Sequence, residues 1–291
     1  MNVLSLFDGM SCGRIALDSI DAVVDKYLAS EIDESAIKIS SQNWDDVTQL
    51  GDVTKWESWD INWSEIDLLI AGSPCQGFSF AGKQLAFEDP RSALFFKFVD
   101  IRNHINEQRK LKGKCEVKFL LENVKMKKES LNVISEHLGV EPIFINSDLV
   151  SAQSRQRFYW CNWVVNMPED RGITLTSILD DGYWATREKS YCIDANYGKG
   201  TNFRRYFYCG SRQLVLEPGY SPAAMSKETA NEVMKADGNR WRKLSVAECE
   251  RLQTAPCGYV DNVVIPTIDK YKALGNGWTV DVISHILKQM K

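Results

Sequence analysis

Residues 67–79 read DLLIAGSPCQGFS. Asp67–Ala71 is an apolar run closed by Gly72. It is too short for a helix and lacks the alternation of a half-buried strand. Such a run reads as a strand buried on both faces, the mark of a parallel sheet covered by helices on either side. Pro74 fixes its own φ and brings no N–H. Cys75 therefore follows where the strand gives out, at the edge of the sheet where α/β proteins gather ligands. That placement suits a nucleophile, although a Pro-Cys pair taken alone is more often a plain loop.

Outward from this stretch the same pattern repeats. Val3–Phe7, Tyr27–Ser30, Phe119–Leu121, Ile143–Asn146 and Phe158–Trp163 read as strands. Arg14–Ile20 and Glu34–Gln42 read as helices, and Ser92–Arg109 carries Leu94, Phe98, Ile101 and Ile105 on one face. Strands alternating with helices predict an α/β, doubly wound, mostly parallel sheet. After residue 166 the pattern changes. Segment 166–240 is rich in Gly, Asn, Arg and Tyr and weakly periodic, a separate loop-rich unit. Residues 243–253 predict a helix with Ser245 as N-cap and Glu248 three residues on, a capping box. Thr279–Lys288 predicts a last amphipathic helix through Val280, Ile283 and Leu287. The expected organisation is a catalytic and cofactor-binding domain of 1–165 with 266–291, and a small domain of 166–265.

The 291 residues suffice for a core without disulfide or metal staples. With 35 basic and 39 acidic residues the net charge is −4, which gives no support to a small module held to nucleic acid by phosphates alone. Eight cysteines without CxxC spacing, and three histidines, argue against a zinc cluster. We expect no metal, no membrane span, no signal peptide and a reducing, cytoplasmic compartment.

Five further motifs carry chemistry. The first strand ends in FDGMSCG, Phe7–Gly13, whose glycines let a backbone approach a ligand but which is neither GxGxxG nor a P-loop. Glu31 follows the second strand, where a carboxylate suits two ribose hydroxyls. Asp52, before Val53, sits where a third strand would end and where it could accept from an adenine amine. Glu122-Asn123-Val124 closes a later strand and puts a carboxyl on the edge that holds Cys75. In Gln153–Tyr159, Arg155 and Arg157 share a face if the segment is extended, two guanidiniums for phosphate or a carbonyl oxygen. Each motif alone has a bland explanation as a turn or a solvated charge.

FDGMSCG, Glu31, GDV, GSPCQGFS, ENV, QSRQRFY, RKLSVAECERLQ with Pro256, and LGNGW stand in the order of the motifs of DNA (cytosine-5) methyltransferases. The resemblance runs from about Val3 to Leu287, outside 166–240. It is to the prokaryotic or phage type, with a first motif and a Trp278 closer to the eukaryotic de novo branch. It implies the S-adenosylmethionine-dependent methyltransferase fold and a smaller target-recognition domain. By this resemblance Cys75 attacks C6 of cytosine, Glu122 bonds N3 and the amino group, and Arg157 contacts O2 with Arg155 in support. Phe7, Asp8, Gly9, Met10, Gly13, Glu31, Asp52, Val53, Pro74, Asn276 and Trp278 would hold S-adenosylmethionine.

The resemblance also implies double-stranded DNA as partner and a flipped base. Residues 82–96 resemble the family's mobile loop and following helix. Ser79, Lys83 and Arg91 in this region are expected to contact DNA. So are Arg187, Arg204, Arg205 and Arg212, which fall in 182–213, a window with six basic and two acidic residues. A monomer in a bacterial cell or phage-infected host, beside a separately acting restriction endonuclease, fits the family. Asp194 departs from it, standing where a Thr is usual. The alternatives are a tRNA cytosine-5 methyltransferase of the same fold, whose Cys-Phe-Thr segment is replaced here by Tyr-Cys-Ile, and an inactive DNA-binding accessory protein.

Overall fold

A computed structural model of the chain describes residues 1–73, 93–180, 182–199, 206, 210–219 and 240–290. They form two compact units, Met1–Ile145 with Gln156–Met167 and Ile283–Lys291, and Asn146–Arg155 with Pro168–Val282. Residues 146–155 and 266–282, which the sequence pattern groups with the first half, fall in the second unit.

The first unit follows the βα alternation. Its elements are β1 (Asn2–Leu6), α1 (Cys12–Asp18), β2 (Lys26–Ser30), α2 (Glu34–Asn43), β3 (Val47–Gln49), β4 (Leu68–Gly72), α3 (Ala93–Leu111), β5 (Lys118–Val124), α4 (Lys128–Leu138) and β6 (Ile143–Asn146). Strand β8 (Gln156–Cys161) follows, after a short β7 (Gln153–Ser154) that belongs to the second unit. Among the described residues the main sheet has the order β3-β2-β1-β4-β5-β8-β6. Strands β1 to β5 pair in parallel, and β8 runs antiparallel to β5. The order reverses between β1 and β4, so their carboxyl ends flank the crevice where doubly wound sheets bind ligands.

Both faces of the sheet are covered, which is why its strands are apolar runs. Leu4, Leu6, Leu69, Ala71 and Leu121 pack in one core with Phe95, Phe98, Ile101 and Ile105 of α3 and with Ile134 and Leu138 of α4. Leu68 and Ile70 alternate to the opposite face and are equally buried. There Gly13 of α1 comes so close that an added Cβ would lie 2.3 Å from Ile70 Cδ1.

The second unit is built of short pieces. Strand β7 pairs in parallel with β9 (Ser190–Tyr191), and β10 (Leu214–Leu216) pairs antiparallel with β11 (Trp241–Lys243). Helix α5 (Val246–Leu252) has the predicted capping box between Ser245 and Glu248. Helix α6 (Thr267–Asn276) follows, and α7 (Val280–Leu287) begins in this unit and continues into the first. Tyr206 and Leu214 form a small core with Tyr191 and Trp241 against them.

Candidate active site

The carboxyl end of β1 is a strained turn. Phe7, Gly9 and Ser11 have φ of 55°, 60° and 62°. Only Gly9 adopts this region without cost, while the two others each carry about 1–2 kcal/mol of strain. Strain of this kind persists where surrounding contacts over-determine it, and it gathers at functional sites. Here the contacts are visible. The Asp8 N–H donates to the Ser30 carbonyl at the end of β2 (3.1 Å), and the Gly9 N–H donates to Glu31 Oε2 (2.7 Å).

Glu31 is therefore the hub of this end of the sheet. Its Oε1 accepts from the N–H groups of Ile32 and Asp33 at 2.8 and 2.9 Å. The carboxylate is fixed in one orientation before any ligand arrives. Asp8 is turned the other way. Its carboxylate is buried and accepts from the hydroxyls of Ser11 and Tyr27, the latter at 2.7 Å. Burial pushes its pKa up to about 6, against the lowering effect of those hydroxyls. Asp8 shapes the turn from inside, and Met10 is likewise wholly buried.

Asp52 lies beyond the third strand rather than at its end, because β3 stops at Gln49. It caps a 3-10 turn, Val53–Ser58, by accepting from the Thr54 N–H at 2.9 Å. That bond holds its carboxyl below the usual range. Val53 is buried beneath it. Phe7, Gly9, Glu31 and Asp52 thus follow the ends of three adjacent parallel strands. Two carboxylates and an aromatic ring suit a ligand with hydroxyl and amino donors and a cationic centre, and they oppose a pyrophosphate. S-adenosylmethionine has the first chemistry, so these residues fit it.

The second cluster lies across β4, β5 and β8. Gly72 is registered against Glu122, and Val124 against Arg157. Glu122 and Arg157 are consequently diagonal neighbours on one face of the sheet. Arg157 Nε lies 2.8 Å from Glu122 Oε1, and both side chains are largely buried. The adjoining Asn123 donates from Nδ2 to Ser73 Oγ at 3.1 Å, tying the end of β5 to the end of β4. Cys75 lies outside the described residues, as do Pro74, Ser79, Lys83, Arg91, Arg204 and Arg205.

Arg155 and Arg157 are held apart from each other in their bonding. The chain between β7 and β8 is not one continuous strand, and the two guanidiniums have different partners. Arg157 pairs with Glu122 of the first unit, whereas Arg155, 3% exposed, donates to the carbonyls of Ile193, Gly275 and Gly277 within the second. Asn276 is exposed between two buried glycines, and Trp278 is buried. Arg187 is exposed, with its guanidinium 3.9 Å over the Tyr191 ring. Arg212 is half-buried at a φ of 60°.

A family model described as C-5 cytosine-specific DNA methylase matches residues 1–163 and 182–291. The chain belongs to that family. Its relatives include methyltransferases. The chain is 28% identical over 99% of its length, and 96% of the relative's, to the type II methyltransferase M.NlaX of Neisseria lactamica. It is 29% identical over 99% of its length, and 77% of the relative's, to the type II methyltransferase M1.ScrFI of Lactococcus lactis subsp. cremoris. Its fold is that of the Entamoeba histolytica methyltransferase EhMeth, with a TM-score of 0.74 at 18% identity over 99% and 97% of the two chains. Among the described residues no helix is long and apolar enough to cross a membrane.

Sequence reasoning missed two residues of note. Gln153 and Gln253 are fully buried and bond to each other, and Gln253 also donates to the Gly277 carbonyl. Both fall inside motifs that were quoted for other residues. An amide gives no signal of its own, since it can serve as donor, acceptor or surface residue alike.

Proposed function

We propose that the chain methylates C5 of cytosine in double-stranded DNA, within a sequence context read by its second half. The observation that carries this is the buried Glu122–Arg157 pair at the end of β5 and the start of β8, an acid and a fork of donors fixed together beside the end of β4. Type II methyltransferases among the relatives support duplex DNA as the substrate.

C5 of cytosine is a poor nucleophile. In the proposed reaction the Cys75 thiolate forms a bond to C6, and the displaced electron pair makes C5 enamine-like. Glu122 faces N3 and the amino group and favours a proton at N3 as the adduct forms. Arg157 donates toward O2 and keeps the Glu122 carboxyl in place. S-adenosylmethionine supplies an activated methyl group carried on a cationic sulfur. Glu31 would hold its ribose hydroxyls, Asp52 its adenine amine and Phe7 its cationic face, with Asn276 and Trp278 as further cofactor residues. Loss of the C5 proton to water then allows Cys75 to leave. The target base must be flipped from the duplex, at a cost of a few kcal/mol. We assign catalysis to 1–165 with 266–291 and target recognition to 166–265. A cognate restriction endonuclease acting separately fits the type II relatives.

A duplex containing 5-fluorocytosine tests the scheme, because fluorine cannot leave as a proton. The wild type should form a covalent complex that survives denaturing electrophoresis, and Cys75→Ala should form none. Absence of adduct from the wild type would sink the mechanism. Labelled S-adenosylmethionine offered with duplex DNA and with tRNA in parallel decides the substrate. Label in tRNA alone would overturn the DNA assignment, and label in neither would point to a binding protein.

A further inference from the structure

In the second unit, three segments far apart in sequence meet in one buried polar lattice. Gln253, just after α5, is wholly buried and uses its whole side-chain amide. Its Nε2 donates to the carbonyls of Leu274 (2.6 Å) and Gly277 (3.1 Å). Its Oε1 accepts from Gln153 Nε2 (2.8 Å) and Thr279 Oγ1 (3.1 Å). Gln153 also donates to the Leu252 carbonyl at 2.7 Å. Arg155 completes the lattice with Nη2, which reaches Gly277 O at 2.8 Å and Gly275 O at 3.3 Å.

The lattice converges on one short stretch. The carbonyls of Leu274, Gly275 and Gly277 are all held by side chains, and Gly277 takes two donors. From the opposite side, Gly275 packs on backbone: an added Cβ would lie 2.2 Å from Asp194 C and 2.5 Å from Ala195 N. Asn276 sits inside this clamp and is the one exposed residue in 273–280. A helix end needs some partner for its last carbonyls. One or two bonds, or water, commonly serve. Here a cation and a saturated amide, both taken out of water, are aimed at the two residues flanking an exposed asparagine.

We propose that Arg155 and Gln253 are positioning residues whose lattice with Gln153 and Thr279 fixes the backbone on either side of Asn276 and thereby sets cofactor affinity. This rests on the assignment of Asn276 to S-adenosylmethionine. Arg155 acts on the cofactor through Asn276, and touches neither the cofactor nor the cytosine.

Calorimetric binding of S-adenosylmethionine to the full chain tests it without turnover. Arg155→Lys keeps the charge but loses the fork that spans two carbonyls. It should weaken binding about tenfold, the size of one hydrogen bond of ordinary strength. Thr279→Val removes a single hydroxyl bond at nearly constant volume, so it remains informative where Arg155→Lys does not fold. It should weaken binding by a smaller factor. Asn276→Ala alone should also weaken binding, and in its background neither variant should cost anything more, the non-additivity of residues acting as one unit. A merely structural lattice would lower the melting temperature but leave the Asn276→Ala background as sensitive as the wild type. Full additivity, wild-type affinity of both lattice variants, or no effect of Asn276→Ala would overturn the inference. If Glu31→Ala weakens binding, as a carboxylate holding the ribose hydroxyls should when removed, such a result rejects the lattice alone. A wild type that binds no S-adenosylmethionine rejects the cofactor assignment and the lattice with it.

Discussion

At the scale of single residues, Asp8 shows how a site can be shaped by a group that serves it indirectly. Its carboxylate is buried against Ser11 and Tyr27, and burial raises its pKa from 3.8 to about 6. An acid raised on folding contributes stability that is fully present below pH 3.8 and is lost as pH rises through 6. Across that window the loss is of order 3 kcal/mol. Asp8→Asn removes the titration, and both hydroxyls can reorient toward an amide. The stability of Asp8→Asn relative to wild type should therefore increase between pH 4 and pH 6.5 and then level off. Urea unfolding at several pH values measures it. A difference that does not change with pH would show that Asp8 is not the titrating group. Glu122 is buried with a cation as its partner. Removing Arg157 strands a buried carboxylate, and breaking such pairs costs about 3–5 kcal/mol. Arg157→Ala should accordingly lose stability as well as activity, whereas Glu122→Gln, which keeps shape, should lose mainly turnover.

At the scale of elements, the close approach of α1 to the sheet sets two effects against each other. Gly13→Ala would gain helix propensity worth roughly 0.5–1 kcal/mol. Its Cβ would meet Ile70 Cδ1 at 2.3 Å and Tyr27 Oη at 2.8 Å, and Tyr27 is the donor that holds Asp8. Overpacking in a filled core costs about 1–3 kcal/mol, so packing should win and the variant should melt lower. A rise in melting temperature would show that α1 can move away from β4. The same packing explains what the sequence made legible. Strands buried on both faces, such as Leu68–Gly72, read as apolar runs because both faces are covered. The capping box at Ser245 was legible because it is a local device. Helix α4 was not anticipated, since Ser130 and Ser135 share its buried face with Ile134 and Leu138, although Gly139 ends it in the left-handed conformation with φ of 71°. Strands β10 and β11, three residues each, are too short for any period to register. Glu31 just after β2 and Glu122 near the end of β5 were readable because strand ends are fixed by the strands. The Gln153–Gln253–Arg155 lattice was not, because its partners are carbonyls chosen by the tertiary fold.

At the scale of the whole molecule, the proposed reading asks an acidic chain to hold duplex DNA, and the window 182–213 in its second half carries six basic residues against two acidic ones. The charges there are not equivalent. Lys189 Nζ donates to the carbonyls of Asp148, Ser151 and Ile173 at 2.6, 3.1 and 2.7 Å, so its three N–H groups are used within the second unit. Arg187 is exposed, stacked over Tyr191 and bonded to its hydroxyl at 3.0 Å. The lysine is a strut and the arginine is available for a groove or a phosphate. Lys189→Met leaves three carbonyls without their donor, which costs roughly 1–3 kcal/mol per stranded buried group. It should lower stability and leave the chosen sequence unchanged. Arg187→Ala should leave stability nearly unchanged and act on DNA. If Arg187 holds a phosphate, affinity falls alike for all sequences and the slope of log K against log salt shrinks by about one. If it reads a guanine, discrimination at one base pair relaxes by about 1–3 kcal/mol. Anisotropy titrations at several salt concentrations, with bisulfite mapping of methylated sites, separate the two. A variant at Arg187 with wild-type affinity, salt slope and site choice would remove it from the interface, and a changed site in Lys189→Met would reverse the division between strut and reader.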